Sequence, residues 1–312
     1  MRGTNKMEEQ NNPKVIICMS TYNGEKYVKE QIESLLNQTY KNLEIYVRDD
    51  GSKDNTINIL EEYEKNNKIH FIKGNNVGVV KSFYECLKEA YDNAEYFAYC
   101  DQDDKWHKDK IERAISKLKK ENQEQPTLYF SEFNYCDENL NFVNKSNLNK
   151  KGASFENSIV ECISFGIVEV FNKKLATKIL ESGTENICFH DWWAYIISAG
   201  LGKVIYDDTA TVEYRRTGSN VSPSGKAGIN LQIYRIKKFV FGKYFKNIRL
   251  QINKFQNLYN NELKEENKKI VNLFSLKYNF IKSIKKVFYH KMFRQNIIDE
   301  IFCRILFLFG RL

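Results

Sequence analysis

Three carboxylates lie within four residues of one another, at Asp101, Asp103 and Asp104. Like charges this close repel one another unless water or a cation screens them. Mg²⁺ and Mn²⁺ bind carboxylate oxygens together with substrate phosphates, and such a cation neutralises the charge that builds on a leaving diphosphate. The cluster therefore predicts a divalent-cation site, and a solvated acidic loop is the alternative.

Three further polar clusters also follow directly after short apolar runs. Each one alone has the composition of an ordinary turn. The runs and the polar segments after them are 14–19 with 20–24, 43–47 with 48–52, 69–72 with 74–78, and 96–100 with 101–104. Ligands bind at the carboxyl ends of the strands in a parallel α/β sheet. Four clusters at one edge of the sheet therefore favour a binding site over four unrelated turns.

The elements that position these clusters alternate between strand and helix. The apolar runs are typical of buried parallel strands, and residues at helical spacing separate them. We expect helices after Tyr27, after a cap at Asp54, from Val79 to Tyr91, and near 108–121. This order predicts a parallel sheet with right-handed crossovers. Later elements are less regular, with strands expected at 127–133, 165–171, 204–206 and 211–214 and helices at 174–181 and 190–199.

Composition narrows the class of protein. The chain has 312 residues, of which 42% are hydrophobic, which suits a packed α/β domain with an appendage. No apolar stretch reaches the roughly 18–20 residues that span a bilayer, and the polar N-terminus does not have the pattern of a signal peptide. The 7 cysteines include no Cys-x-x-Cys pair, which indicates reduced, mostly buried thiols. We therefore expect a cytosolic protein.

Positive charge is concentrated at the C-terminal end. Residues 230–312 carry 18 Lys or Arg against 5 Asp or Glu, within a net charge of +8 for the whole chain. The segment after about Leu231 is expected to be basic, aromatic-rich helix, and a second apolar stretch, 301–309, is interrupted by Arg304. An apolar stripe at helical spacing consists of Leu273, Leu276, Phe280, Ile284 and Val287. It predicts either a helix packed on the main domain or an interfacial helix on anionic lipid. The remainder of the chain is net acidic and has no nucleic-acid motif, which argues against nucleic-acid binding.

The ordered motifs resemble those of family 2 inverting glycosyltransferases with the GT-A fold. The resemblance covers about residues 14–222 and rests on Val15 to Asn23, Asp49-Asp50-Gly51-Ser52, Asn75-Asn76-Val77-Gly78 and Asp101-Gln102-Asp103-Asp104. His190-Asp191-Trp192-Trp193 and Tyr214 to Asn220 look most like bacterial rhamnosyltransferase-type members, which build capsular, cell-wall or O-antigen polysaccharides. It implies an α/β fold with a Rossmann-like, mostly parallel sheet flanked by helices, plus a C-terminal helical extension.

The resemblance also implies a domain division. Residues 1–13 would be a disordered N-terminus, and 14–228 would form the glycosyltransferase domain. Its part 14–125 would bind the nucleotide sugar, and 126–228 would form the acceptor and catalytic half. Residues 229–312 would be the basic amphipathic tail.

Individual roles follow from the same resemblance. Residues implied to bind the nucleotide sugar are Thr21, Tyr22, Asn23, Asp49, Asp50, Asn75, Gly78, Asp101, Arg215 and Arg216. Asp103 would hold Mg²⁺ or Mn²⁺ against the diphosphate. Asp191 would be the catalytic base, since a sugar hydroxyl is a poor nucleophile until a carboxylate takes its proton. On its own, Asp191 could equally be a helix cap. Candidates for acceptor contact or for support of the site are Asp104, His190, Trp192 and Trp193.

One position departs from the family pattern. Related sequences often carry a His, a candidate metal or phosphate contact, where this chain has Thr217. Threonine supplies no imidazole, whereas Arg215 and Arg216 can bind phosphate through their guanidinium groups. We therefore expect either weaker metal affinity or a diphosphate held more by arginine.

These inferences predict an inverting transfer from a nucleoside-diphosphate sugar to a hydroxyl of a glycan or lipid-linked acceptor. The favoured donor is dTDP-L-rhamnose, and a UDP-hexose or UDP-N-acetylhexosamine is the alternative. A non-catalytic nucleotide-sugar binding protein is the competing class. A nucleotidyltransferase would need a Gly-rich basic loop after the first strand, which the segment 21–25 does not supply. The expected location is the cytoplasm, peripheral on the inner face of the plasma membrane.

Overall fold

The structure is a computed structural model that describes residues 12–217, 244–274 and 278–312. A nine-stranded sheet forms the centre of this described part. Its strands are β1 Val15–Thr21, β2 Leu43–Asp49, β3 His70–Lys73, β4 Tyr96–Cys100, β5 Lys105–Trp106, β6 Thr127–Cys136, β7 Phe142–Lys145, β8 Glu169–Asn172 and β9 Lys203–Arg215. The order across the sheet is β3-β2-β1-β4-β8-β6-β9-β5, with β7 paired to β6.

Helices pack around this sheet and extend the chain beyond it. They are α1 Val28–Leu36, α2 Thr56–Lys65, α3 Val79–Ala90, α4 Lys110–Leu118, α5 Phe155–Val160, α6 Lys173–Ser182, α7 His190–Leu201, α8 Tyr244–Tyr259, α9 Glu265–Val271, α10 Phe280–Val287 and α11 Ile297–Leu308. None of these helices is long and apolar enough to cross a membrane.

The first half of the sheet is parallel. Strands β3, β2, β1 and β4 run in the same direction, and residues 15–19 of β1 are fully buried between the helical layers. Continuous apolar strands suit this position because both of their faces are covered. The carboxyl ends of the four strands therefore meet at one edge, as the sequence predicted.

The second half mixes strand directions. β8 is antiparallel to both β4 and β6, β9 is parallel to β6, and β5 is antiparallel to β9. Two strand predictions were wrong here. The short strands expected at 204–206 and 211–214 form one long strand, because β6 pairs along nearly all of β9. The strand expected from Phe165 begins only at Glu169, after a 3₁₀ turn at Gly166–Val168.

The predicted helix cap at Asp54 lies one residue too early. Asn55 is the N-cap of α2. The Asp54 carboxylate nevertheless accepts hydrogen bonds from the backbone N–H and the hydroxyl of Thr56, and from the backbone N–H of Glu25. Asp54 therefore ties α2 to the loop that follows β1.

The sequence predicted basic, aromatic-rich helix in the C-terminal segment. Its described residues form the four separate helices α8 to α11, and α10 begins only at Phe280, capped by the Asn279 side chain. Leu276 and residues 218–243 lie outside the described part. Phe255 of α8 is fully buried against Trp193 and Phe155, so this segment packs directly on the main domain.

Candidate active site

Hydrogen bonds join the loops that follow β1 and β2. The Thr21 hydroxyl donates to Asp49 Oδ2 over 2.9 Å, and the Asn23 backbone N–H donates to Ser52 Oγ over 2.8 Å. The Asn23 side-chain oxygen accepts from the Lys53 N–H in return. The Asp49 carboxylate is fully buried and also accepts from Ser52. Asp49 thus organises the edge of the sheet, and its predicted contact with the nucleotide sugar stays a prediction.

Asp50 joins the loops that follow β2 and β3. Its two oxygens accept hydrogen bonds of 2.9 Å from the backbone N–H groups of Val77 and Gly78. The Arg48 guanidinium donates to the same carboxylate over 2.7 Å and to the Asn75 carbonyl over 3.1 Å. The sequence analysis did not identify Arg48 as a site residue. The pattern that could have indicated it is a single cationic residue at the end of an apolar strand. Asn75 and Gly78, both predicted site residues, therefore lie beside Asp50.

Gln102 connects the first loop to the fourth. Its side-chain oxygen accepts from the Tyr22 backbone N–H over 2.8 Å, and its amide donates to the Tyr22 carbonyl over 3.1 Å. A side chain at Gly24 would clash, since its Cβ would lie 2.3 Å from Gln102 Oε1. Sequence reasoning also missed this role, although a glutamine between acidic residues was a signal. All four predicted clusters therefore meet at one edge, with the Tyr22 ring 43% exposed.

Four carboxylates form one electrostatic group at this edge. Burial raises the pKa of Asp101 to about 7, with further contributions from Asp103 and Asp191. Burial also raises the pKa of Asp103. The pKa of Asp104 is well above its usual range, again mainly through burial and then through Asp103 and Asp101. Asp101 is therefore close enough to both Asp103 and Asp191 for their negative charges to raise its pKa further.

Asp104 and Arg215 hold the acidic loop against the end of β9. Asp104 Oδ1 accepts from the Arg215 backbone N–H over 3.0 Å. The Arg215 guanidinium is only 3% exposed and donates to the Asp103 carbonyl, the Glu138 carbonyl and the Glu30 carboxylate. The N–H donors of the Arg215 guanidinium, which were predicted to bind phosphate, therefore bond to oxygens of the protein itself. Of the two roles considered for Asp104, these contacts favour structural support.

Arg216 is the arginine of this pair that stands closer to solvent. Its guanidinium lies 4.0 Å above the Tyr135 ring, and its backbone N–H donates to the Cys136 carbonyl. Thr217 follows at the end of this described stretch. An arginine stacked on an aromatic ring keeps N–H donors at its edge, so Arg216 can reach an anion while Arg215 stays engaged.

The divalent-cation prediction fits this donor set. Among the described residues, no three His, Cys, Asp or Glu side chains converge on one point as a preformed cation site. Mg²⁺ commonly uses one or two carboxylates and completes its shell with substrate phosphates and water. Asp104 Oδ2 is buried without a hydrogen-bond partner, and the neighbouring carboxyl groups have raised pKa values. The ionised forms of these buried carboxyl groups are therefore poorly stabilised. A cation bound beside Asp103 would supply the positive charge that stabilises them.

Asp191 lies in the first turn of α7 and is anchored by two backbone donors. Its Oδ1 accepts from the Trp192 N–H over 2.7 Å, and its Oδ2 accepts from the Gly166 N–H over 3.1 Å. The N-terminus of a helix also stabilises a negative charge. The carboxylate is therefore held in one orientation, and it remains partly exposed to a ligand.

His190 forms an aromatic wall beside this carboxylate. Its ring stacks on Phe83 at 3.9 Å and meets Tyr99 edge-on at 4.7 Å. Burial lowers its pKa, so the imidazole is neutral at physiological pH. Both ring nitrogens are buried without a hydrogen-bond partner among the described residues. His190 therefore supports the position of Asp191 through packing.

Trp192 and Trp193 are part of the core. They are 2% and 0% exposed, and their indole N–H groups donate to the Ser158 carbonyl and the Ser182 hydroxyl. Neither ring offers a face to a sugar, so of the two roles considered for these residues their burial favours support of the site through packing. Apolar residues cover α7 nearly all round, which is typical of a buried helix.

Comparison with known proteins assigns the family. The profile of Glycosyl transferase family 2 matches residues 16–169. The chain is 30% identical over 234 residues to the dTDP-rhamnosyl transferase RfbG of Shigella flexneri, covering 67% of this chain and 76% of that protein. It is 34% identical over 105 residues to the putative teichuronic acid biosynthesis glycosyltransferase TuaG of Bacillus subtilis (strain 168), covering 33% of this chain and 41% of TuaG.

Solved structures agree on the fold. The crystal structure of S. aureus TarS 1–349 in complex with UDP-GlcNAc superposes with a TM-score of 0.59 at 18% identity, covering 96% of this chain and 80% of that 1–349 chain. The mannosyltransferase PcManGT from Pyrobaculum calidifontis, in complex with GDP-Man and Mn²⁺, gives 0.50 at 12% identity, covering 84% and 79%. The predicted family and fold are confirmed: the chain belongs to glycosyl transferase family 2 and has the GT-A fold.

Proposed function

We propose that the protein is an inverting, metal-dependent glycosyltransferase of bacterial polysaccharide synthesis, which moves a sugar from a nucleoside diphosphate to an acceptor hydroxyl. The observation that carries this proposal is the placement of Asp191. Two backbone N–H groups fix its carboxylate, and it belongs to the same electrostatic group as Asp101 and Asp103. A protein that only bound the nucleotide sugar would not need an oriented carboxylate beside the acidic loop.

The proposed reaction has one proton transfer and one displacement. Asp191 takes the proton of the acceptor hydroxyl while that oxygen attacks the anomeric carbon. Attack from the face opposite the diphosphate inverts the configuration, as in a base-assisted inverting glycosidase. A bound Mg²⁺ or Mn²⁺, held by Asp103 and the donor phosphates, would neutralise charge on the leaving diphosphate. Arg216, the residue directly after β9, contributes a further positive charge to binding of the donor diphosphate.

L-rhamnose from dTDP-rhamnose is the favoured donor sugar. RfbG, which carries that activity in its name, supports this choice because its similarity extends over 67% of the chain. UDP-hexose and UDP-N-acetylhexosamine donors are the alternative, and the TarS complex with UDP-GlcNAc supports them at lower identity. A screen for release of the nucleoside diphosphate, run with each donor and with or without Mg²⁺ or Mn²⁺, tests the proposal. Turnover of none of these donors would contradict it.

Gly166→Ala tests whether packing around Asp191 controls its position. The added methyl would lie 2.7 Å from His190 Nε2, so this ring must shift, and it would also be in van der Waals contact with Asp191 Cβ at 3.6 Å. Because His190 packs beside Asp191, we expect its movement to disturb the position of the carboxylate. We expect kcat to fall roughly 10- to 100-fold, because small misplacements of catalytic groups are costly. Donor affinity, measured by titration, should change less than twofold. An unchanged kcat would show that this contact does not set the geometry of the base.

We also infer that the C-terminal segment holds the enzyme peripherally on the anionic inner face of the plasma membrane. Exposed apolar side chains lie on α10 and α11 and at the residue that follows each helix. We call this set the hairpin face, which consists of Phe280, Ile281, Phe288, Ile297, Ile298, Ile301, Ile305, Leu308 and Phe309. Within each helix their spacing places them on one stripe. The stripe predicted from the sequence differs, since its Leu273, Ile284 and Val287 are partly buried. Exposed apolar patches of this kind mark interaction surfaces.

Phe280→Ser with Phe288→Ser should weaken binding to vesicles. These rings are 62% and 79% exposed, and burying each one in a membrane contributes about 1.5–3 kcal/mol, or roughly tenfold or more in partitioning. Flotation with phosphatidylglycerol-containing vesicles measures the change. Leu258→Ser on α8, where the side chain is 45% exposed, is the matched control and should float like the unaltered protein. Equal flotation of both variants would contradict the membrane assignment.

A further inference from the structure

A groove lies between the main domain and the start of α11. It has a volume of about 280 Å³, near the lower end of the roughly 300–1,000 Å³ typical of small-ligand sites. One wall comes from the segment between β7 and α5, with Asn147 and Lys150, and from the segment after α5, with Cys162 and Phe165. Asn296 and Asp299 of the C-terminal segment line the other side. The groove thus exists only because the C-terminal segment packs on the main domain.

Its walls are held rigidly together. The Glu161 carboxylate accepts from the Gln295 backbone N–H over 2.8 Å, and Gln295 Oε1 accepts from the Lys151 N–H over 2.6 Å. The Arg294 guanidinium donates to the Val160 carbonyl over 2.9 Å. A groove fixed by backbone hydrogen bonds is preorganised for a ligand, which reduces the entropy lost on binding.

One side of the groove lies next to the segment that anchors the proposed base. Phe165 lines the groove, and the next residue, Gly166, donates its backbone N–H to Asp191 Oδ2. Asp191 also acts electrostatically on the Cys162 thiol, whose pKa is raised mainly by burial. The groove is therefore one residue away along the chain from a backbone group that holds the proposed base.

The outer end of the groove adjoins the hairpin face. Asn296 and Asp299 flank Ile297 and Ile298, which are 59% and 70% exposed. The N-cap and first turn of α11 therefore carry both polar residues that line the groove and apolar side chains that are proposed to contact lipid. A molecule anchored in the bilayer could enter the groove here without leaving the membrane surface.

The chemistry of the lining suits a saccharide. Amide, carboxylate and ammonium groups offer both donors and acceptors for sugar hydroxyls, and the Phe165 ring offers an apolar surface for ring C–H groups. The charged lining residues are Lys150 against Glu161 and Asp299, so the groove does not favour an isolated phosphate.

We propose that this groove is the acceptor site, which binds the saccharide end of a membrane-anchored acceptor and presents one hydroxyl to Asp191. This inference rests on the proposed transferase function. It also gives the C-terminal segment a direct part in acceptor selection, since that segment supplies one wall.

Asn147→Trp fills the groove from an exposed position and is the test variant, and Asn144→Trp on the exposed strand β7 is its matched control. Octyl glycosides of common bacterial hexoses and N-acetylhexosamines serve as acceptors. We expect Asn147→Trp to raise the acceptor KM at least tenfold, while donor KM and donor hydrolysis without acceptor change less than twofold. Asn144→Trp should leave all three unchanged. Equal acceptor KM values for the two variants would overturn the proposal.

A second measurement does not depend on turnover. An octyl glycoside that carries a diazirine on its sugar should label peptides from 145–165 and 292–300 in the full-length protein, and Asn147→Trp should remove that label. Labelling only elsewhere, or none at these peptides, would overturn the groove assignment. A protein that hydrolyses no donor would instead refute the transferase proposal, and the labelling pattern would still decide the groove.

Discussion

Asp191→Asn should reduce sugar transfer by about 10²- to 10⁴-fold, the contribution typical of a general base. The amide cannot take a proton from the acceptor hydroxyl. It keeps one oxygen to accept from the backbone N–H of Trp192 or Gly166, so the first turn of α7 should stay in place. Donor affinity should therefore change less than threefold. Initial rates of nucleoside-diphosphate release with acceptor, together with donor titration, measure the two effects separately.

Asp92→Asn is a suitable control for this change, because the residue is exposed and lies outside the acidic group. It should retain full activity. If the protein bound the nucleotide sugar without catalysis, the unaltered protein and both variants would all show no sugar transfer. Retention of transfer by Asp191→Asn would remove the proposed base and with it the mechanism derived above.

Asp103→Asn should lower transfer about a thousandfold at a fixed cation concentration, and excess EDTA should have a similar effect on the unaltered enzyme. One carboxylate beside the diphosphate is the expected protein ligand for Mg²⁺ or Mn²⁺. Restoration by added cation should need much higher concentrations in the variant. Asp109→Asn, six residues further along the chain, is the control and should titrate like the unaltered enzyme.

The same substitution should have the opposite effect on stability when no cation is present. Burial raises the pKa of Asp103, so its charged form is disfavoured in the folded state. Removing that charge should raise the Tm of the cation-free protein near neutral pH. Cation plus nucleoside diphosphate should stabilise only the unaltered protein. If transfer persists in EDTA, the diphosphate is held without a cation and the metal proposal is wrong, which would agree with Thr217 in place of a family His.

Local pattern was enough to predict the first half of the fold. β4 occupies Tyr96–Cys100, the predicted range, and β1, β2, α1 and α3 lie within a few residues of their predicted bounds. These elements are continuous apolar runs or clear helical stripes, whose burial needs no knowledge of distant partners. Because parallel strands end at one edge, the order of the motifs also brought the four polar clusters together.

The roles of several side chains depended on partners far away in the chain. Arg215 read as a phosphate fork, yet its guanidinium bonds to Glu30, 185 positions earlier. Trp192 was a candidate for either acceptor contact or support of the site, and its indole N–H donates to the Ser158 carbonyl inside the core. A residue's type states which contacts it can make. Only the packing of distant segments decides which of them it makes.

Local apolar pattern and motif identity were therefore sufficient to predict the family, the order of the first strands and the residues that could do chemistry. Tertiary structure alone decided which face of the C-terminal helices is exposed, how β9 pairs, and that a groove joins Phe165 to Asp299. These features arise where segments distant in the chain meet. Their burial and hydrogen bonding are properties of the assembled fold and not of any one segment.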